Sequence, residues 1–399
     1  MKTNLAVFFG CSSVEHEVSI ISAVQAMESM DREKYSVIPI YVTKDGDMYT
    51  GQQLCTMKNY KDLPGLLRSC TRVTIARERG SVVMRETEAS FFKRKPLAVL
   101  DFAFPVVHGT NCEDGTLQGY FELLGLPYAG CGVLASAVGM DKAVFKHVLA
   151  AHGLPVLPCV TFTARRWSED KAPILEKIQK AIGFPCIVKP VNLGSSVGIS
   201  KAEDAARLEE AVSLAASFAK DILVEKAVGS LREINCSVLG DADDCQASVC
   251  EEPVMSDEIL SYQDKYLSGG SKADKTSGSK GMSSLKRRLP ADISPEKTAE
   301  IQEYAKEAFQ AIDGAGVARI DFLMDTADND RVYINEINTI PGSLAFYLWE
   351  ATGLPYRQLI DRLVELGFKR ARSRANLMFT IETNLLSQAG DLGGSKGKA

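Results

Sequence analysis

The chain has 399 residues, 45% of them hydrophobic and 24% charged, and its 46 Lys and Arg against 51 Asp and Glu leave a net charge of −5. That length suits two or three units of ordinary domain size, and the composition excludes a disordered chain. The charge balance excludes a protein whose whole surface grips nucleic acid, while leaving room for a local basic pocket.

Leu5–Phe9 predicts a buried strand, and Val18, Ile21, Val24 and Met27 predict the apolar stripe of a helix behind it. Val37–Val42 reads as a second strand, with short β pieces at Val73–Ile75 and Ser81–Met84. Val99–Val107 reads as a third long strand, followed by a helix at Leu117–Leu124 that Gly125 and Pro127 end. This pattern is a βαβ-type open sheet over residues 1–132. A second unit, 133–221, is predicted to hold a helix at Lys142–Ala151, a strand at Val156–Phe162 and a helix at Ser168–Ile182. A buried strand at Cys186–Pro190 and a helix at Ala202–Phe218 complete it. A third unit, 222–375, carries strands at Ile222–Lys226, Ile234–Leu239 and Val249–Val254, then a helix at Thr298–Ile312. Two further strands and a helix at Tyr356–Arg370 finish the fold, before a tail at 376–399 whose end is too polar to pack.

No run of about 18 apolar residues exists, so no membrane span is expected. The five apolar residues Leu5–Phe9 are too few for the core of a signal peptide. The ten cysteines run from Cys11 to Cys250 without a C-x-x-C pair, the usage of reduced thiols in a cytoplasmic protein.

The most informative segments are Val317–Leu323 and Val332–Asn338. Residues two apart in a strand share a face, so Arg319 and Asp321 point together, as do Glu336 and Asn338. If the strands pair, two carboxylates, an amide and a guanidinium share one face. Such oxygen donors suit Mg²⁺, which shares its ligands with phosphates; the plainer reading is a solvated polar face. Lys189 follows a buried strand and precedes Gly194-Ser195-Ser196-Val197-Gly198, a turn able to bring N–H and O–H donors to an anion, or an ordinary hairpin turn. Lys226 ends another strand, where a cation is usually a snorkelling surface residue. Near the N-terminus, Ser12-x-x-Glu15 forms a capping-box pattern, which would account for Glu15 by itself. Alternatively, Glu15 lies at the carboxyl end of a strand in an open sheet, where ligands bind, and His108–Gly115 ends at the same rim.

In order along the chain, Gly10–Val18 with Glu15-His16, His108-Gly109 with Glu113-Asp114-Gly115, and Met140-Asp141-Lys142 form a series. Val188-Lys189-Pro190 with Gly194–Gly198, Glu225-Lys226, Lys265-Tyr266, Arg319-Ile320-Asp321, Glu336-Ile337-Asn338 and Pro341-Gly342 continue it. Together they resemble the D-alanine–D-alanine ligase family, to about residue 370. The resemblance implies an α/β chain of the ATP-grasp fold with an N-terminal open α/β domain, joining two D-alanines at the expense of ATP for peptidoglycan precursors. It implies that Glu15 holds the ammonium of the first D-alanine, with His108 near its carboxylate. Lys142 and Lys189 would contact ATP phosphates, Glu225 and Lys226 would read adenine, and Glu233 would hold the ribose. Asp321, Glu336 and Asn338 would bind two Mg²⁺, with Mn²⁺ as a substitute. Lys265 and Tyr266 would sit on a closing loop, with Tyr266 hydrogen-bonded to Ser195 and so linked to Glu15. Arg319 and the Gly342 N–H would stabilise an oxyanion. A cytoplasmic homodimer acting on small molecules, without nucleic acid or membrane, is also implied.

Two departures stand out. Many members carry a Thr-Ser-His-Ser type segment after Pro-Gly, whose last serine holds the second substrate's carboxylate. Here Ser343–Leu348 replaces it, with Tyr347 at the serine's place, so Ser343 and Tyr347 are expected to supply the donors. The stretch from Gly269 to Arg288 is longer and richer in Gly, Ser and Lys than usual. A ligase taking D-serine, or less readily D-lactate, as acceptor is the nearest alternative; a nucleotide-binding regulator without catalysis is the rival from another class.

Overall fold

The computed structural model describes residues 2–88, 95–194, 197–253 and 287–381. Strand β1 (Thr3–Gly10) is apolar throughout its buried length because it runs parallel to a neighbour on each side, β2 (Tyr35–Val42) and β7 (Phe102–Pro105). Between them come helix α1 (His16–Ser29), β3 (Met48–Thr50), α2 (Leu63–Arg68), β4 (Thr71–Glu78), β5 (Ser81–Glu86) and β6 (Ala98–Leu100). The sheet order is β6-β5-β4-β3-β2-β1-β7. The single strand expected at 99–107 is two strands. Asp101 interrupts the apolar run and its carboxylate accepts the Asn4 N–H at 2.8 Å, so the chain leaves β5 at Leu100 and joins β1 at Phe102.

Helix α3 (Thr116–Leu124) ends on left-handed Gly125, as its sequence dictates. Helix α4 (Val133–Met140), absent from the sequence reading, comes next; Gly139 lets it lie against the third sheet, since a Cβ there would stand 2.9 Å from Thr339 Cγ2. Helix α5 (Lys142–Ala151) is capped by Asp141, whose carboxylate accepts from the N–H groups of Ala143 and Val144.

The second sheet has the order β10-β9-β11-β8, from β8 (Cys159–Thr163), β9 (Cys186–Pro190), β10 (Ser200–Ala202) and β11 (Asp221–Lys226). Helices α6 (Ala164–Glu169), α7 (Ala172–Ala181) and α8 (Ala205–Ala216) accompany it. The helix expected over 168–182 breaks at Asp170, because Pro173 lacks an N–H and its ring would strike the carbonyl four residues back.

The third sheet is antiparallel, with order β14-β13-β12-β15-β16, from β12 (Leu231–Gly240), β13 (Cys245–Pro253), β14 (Arg287–Arg288), β15 (Gly316–Asp325) and β16 (Arg331–Asn338). Helix α9 (Pro295–Ala311), capped by Ser294, buries Ile301, Ala305, Ala308 and Phe309 against one face. Ile234, Cys236, Ile320, Phe322 and Ile334 meet them in the core and leave the opposite face polar. After β16 comes a tight turn at Gly342–Ala345, then α10 (Phe346–Ala351) and α11 (Tyr356–Ala375). Leu359, Ile360 and Leu363 of α11 join the core of the first sheet. Among the described residues, no helix is long and apolar enough to cross a membrane.

Candidate active site

The polar face of the third sheet is assembled by register. Asp321 stands opposite Glu336 on one side and Asn235 on the other, and Asn235 stands opposite Glu251. Arg319 stands opposite Asn338. A bulge after Asp321 shifts the rest of β16, so the paired strands keep these groups together at their shared end. Arg319 grips Asp321 with two parallel bonds of 2.6 and 2.7 Å, and the Asn338 amide donates to Asp321 at 3.2 Å. Burial alone would lower the Arg319 pKa, but the Asp321 charge outweighs it and the guanidinium is held well above its ordinary value. Lys142 Nζ lies 3.2 Å from Glu336 and donates to the Leu193 carbonyl at 2.8 Å. The face expected from alternation therefore exists, and it is a packed polar cluster rather than a solvated one.

Between this face and the second sheet lies a pocket of about 340 Å³, lined among others by Lys189, Lys226, Glu233, Asp321 and Glu336. Lys189 Nζ crosses it, donating to Asn335 Oδ1 at 2.8 Å and pairing with Glu225 at 2.5 Å. Lys146 reaches the other oxygen of Glu225 at 2.9 Å. Burial would raise the Glu225 pKa, yet the two lysines overturn that and hold it down to about 2. Lys189 is shifted up for the reciprocal reason: burial lowers it and Glu225 more than compensates. The expectation that the Glu225 side chain reads a base is thus corrected, since two lysines engage both of its oxygens. Glu225 and the segment after it, Lys226–Gly229, line the pocket together. Lys146 was missed in sequence; its signal is its place four residues after Lys142, on the same helix face.

At the rim of the first sheet, Glu15 occupies the N-cap position of α1 but makes no side-chain cap bond. The capping box does not form: Ser13, not Ser12, turns its hydroxyl to the Glu15 N–H, at 3.0 Å, and donates to the His108 carbonyl at 2.6 Å. Glu15 is 7% exposed and packs on backbone, for a Cβ on Gly194 would stand 2.8 Å from its Oε2. Gly194, the first residue of the glycine-rich turn, therefore stands against Glu15. Ser195, Lys265 and Tyr266 lie outside the described residues.

His108 differs from its expected role. Its Nδ1 meets the Ile340 carbonyl at 2.8 Å and its Nε2 meets Ser22 Oγ at 3.0 Å. Burial lowers its pKa, so the ring is neutral, and protein partners occupy both nitrogens. Ser343 is likewise turned inward: its hydroxyl donates to Gln25 Oε1 at 2.7 Å and its N–H to Ser22 Oγ at 3.0 Å. Tyr347 donates its only hydroxyl proton to Glu251 at 2.6 Å, beneath the Arg287 guanidinium 4.0 Å from its ring. Burial and Glu251 push its pKa far up. The two hydroxyls expected to hold the acceptor's carboxylate both donate within the protein. Gly342 heads the turn between β16 and α10. Ser22 and Gln25 are interlopers in an apolar helix, three residues apart, and that spacing was their legible signal.

Two carboxylates and an amide on one sheet face, beside a pocket crossed by Lys189, fit a Mg²⁺ that shares its shell with phosphate oxygens. Arg319 and Lys142 balance those carboxylates in the structure.

Two sheets that enclose a lysine-crossed, carboxylate-lined pocket, with an open α/β sheet at the rim, define the ATP-grasp class. Comparison agrees. Residues 4–131 match the family model for the D-ala D-ala ligase N-terminus and residues 148–365 that for its C-terminus. The chain is 40% identical over 392 residues to a D-alanine–D-alanine ligase of Heliobacterium modesticaldum, covering 94% of this chain and 97% of that one. It is 38% identical to one from Bacillus cytotoxicus, covering 95% and 99%. Among solved structures, a D-alanine–D-alanine ligase from Coxiella burnetii superposes with a TM-score of 0.77 at 30% identity, covering 94% and 96%. A D-Ala:D-Ser ligase from Enterococcus faecalis superposes with a TM-score of 0.75 at 28% identity, covering 92% and 100%. The chain belongs to the D-alanine–D-alanine ligase family.

Proposed function

We propose that this chain joins two D-alanines, using ATP to activate the first carboxylate as an acyl phosphate, to supply peptidoglycan precursors. The observation that carries the reading is the register of β15 and β16, which sets Asp321 against Glu336 and Arg319 against Asn338 at the mouth of the lysine-crossed pocket. A carboxylate is a poor electrophile, and phosphorylation makes it reactive; that transfer needs alignment and charge neutralisation rather than a protein nucleophile.

Lys142 and Lys189 neutralise the triphosphate, and Glu15 holds the ammonium of the first D-alanine. Asp321, Glu336 and Asn338 would hold Mg²⁺, or Mn²⁺ in its place, which when bound supplies charge neutralisation at the phosphates. Arg319 and the Gly342 N–H face the oxyanion that forms when the second amine attacks. Glu233 and Lys226 contact the nucleoside. Lys265, Tyr266 and Ser195 belong to the part of the site that excludes water from the acyl phosphate. The reading includes three units, starting at 1, 133 and 222 in sequence but with the 221/222 boundary moved past Lys226, because β11 pairs with β8 and β9 in the second sheet. It also includes a cytoplasmic setting and a homodimer.

Because Ser343 and Tyr347 are engaged elsewhere, the acceptor subsite is the place where D-serine competes. The test is ADP release with D-alanine alone and with D-alanine plus D-serine or D-lactate, with the product weighed by mass spectrometry. The proposal expects D-alanyl-D-alanine as main product, some mixed product with D-serine, and little with D-lactate near pH 7. A predominant mixed product would replace it with a different acceptor. No ADP release with any of them would leave a nucleotide binder.

A further inference from the structure

Two segments of the site meet at one residue, Ile340, through the peptide groups on either side of it. The Ile340 N–H donates to Glu113 Oε1 at 2.8 Å, and the Ile340 carbonyl accepts from His108 Nδ1 at 2.8 Å. Thr339 Oγ1 approaches the same Glu113 oxygen at 3.4 Å, and the other oxygen accepts the Gly109 N–H at 3.0 Å. Behind them Ser22 Oγ donates to His108 Nε2 and accepts the Ser343 N–H. This arrangement fixes the imidazole tautomer, with the proton on Nδ1. The turn is thus held at residues 339, 340 and 343, on both sides of Gly342.

That turn needs holding. Ser343, Leu344 and Ala345 have φ of +50°, +55° and +49°, three successive non-glycine residues in the left-handed region. Glu113 is also an expensive choice for mere packing. It is 8% exposed and stands near Glu15, and burial with that like charge pushes its pKa up to about 7. An apolar side chain would fill the space without either penalty. It could not join the Gly109 and Ile340 N–H groups, which come from opposite ends of the site.

We infer that Glu113 is a positioning residue, which sets the 339–342 turn against the 108–109 loop and so aims the Gly342 N–H at the oxyanion that forms on the substrate carbon Glu15 helps to place. His108, Ser22 and Gln25 complete the same clamp. The inference rests on the ligase reading above.

The test is steady-state kinetics of the full chain, as wild type, Glu113→Gln and Ser22→Ala, with ADP and dipeptide measured separately. In Glu113→Gln one oxygen still accepts, but the amide nitrogen opposes an N–H. The expected result is a kcat at least 30-fold lower with the KM for ATP within twofold. ADP released per dipeptide should rise above one, because a misdirected oxyanion donor leaves the acyl phosphate to water. Ser22→Ala should move kcat and the ratio in the same direction by a smaller factor, and it keeps the inference testable if Glu113→Gln does not fold. Glu113→Asp, which restores the charge on a shorter arm, should recover part of the coupling. A lower melting temperature with unchanged kcat and a ratio of one, in either Glu113→Gln or Ser22→Ala, overturns the inference and makes the clamp structural only. A wild type that forms no D-alanyl dipeptide overturns the ligase reading together with it.

Discussion

Glu225 and Glu113 are both buried carboxyls within this site, and they titrate in opposite directions. Glu225 sits between Lys146 and Lys189, and its pKa falls to about 2. Glu113 is met by backbone N–H groups and a threonine hydroxyl, with Glu15 nearby, and its pKa rises to about 7. Burial raises both; the charge of the neighbours decides the sign. The pocket wall where phosphates are proposed to bind is therefore built on full charges that compensate one another. The clamp that holds the turn is built on directional bonds between groups with little charge to balance.

The comparison breaks most readily at Lys146. Removing one cation from a buried charge cluster costs about 3–5 kcal/mol when the partner is left uncompensated. Lys146→Met should destabilise the chain toward that amount in urea unfolding, and Glu225→Gln added to it should restore part of the loss. A loss under about 1 kcal/mol would mean that Lys189 alone suffices.

A pH series sharpens the contrast. For Glu225 the folded pKa lies below the ordinary 4.5, so the stability it contributes is present above about 4.5 and is lost as pH falls toward about 2. For Glu113 the folded pKa lies above 4.5, so its contribution is full below about 4.5 and is lost as pH rises through about 7. Relative to wild type, Glu113→Gln should gain on the order of 2 kcal/mol of unfolding free energy between pH 4.5 and 7.5. A constant difference across that window would show that Glu113 is ionised throughout.

How much of this was legible follows the same division. Period-two alternation placed Arg319, Asp321, Glu336 and Asn338 on one face, because strand geometry is local and the register of β15 with β16 completed it. The strands Leu5–Phe9 and Cys186–Pro190 were legible from their unbroken apolar runs. The split at Asp101 was not, because a change of strand partner depends on Asn4, far away in sequence. Nor was the clamp legible, since its bonds join residues 22, 108, 113, 340 and 343. The same distance hid the true partners of Ser343 and Tyr347. Gln25 and Glu251 take their hydroxyl protons, and no spacing rule links them.

Smaller effects test those two corrections. Tyr347→Phe leaves Glu251 with Arg287 and Asn235 but without the phenol, which should cost about 1.5 kcal/mol of stability. It should change the KM of either D-alanine less than threefold. A selective rise for the second D-alanine would put the phenol back in the acceptor site. Glu15→Gln should be smaller still in stability, about 1 kcal/mol or less, because the amide keeps the side chain's shape and no cap bond is lost. It should raise the KM of the first D-alanine alone, and wild-type kinetics would return Glu15 to a packing role.

The measurement closest to the central claim is ADP release with D-alanine, followed across a Mg²⁺ titration, for wild type and Glu336→Gln. The account predicts turnover in wild type that depends on both D-alanine and Mg²⁺. In Glu336→Gln it predicts at least a hundredfold loss at limiting Mg²⁺, with the melting temperature retained. Near-normal turnover of Glu336→Gln at limiting Mg²⁺ would contradict it.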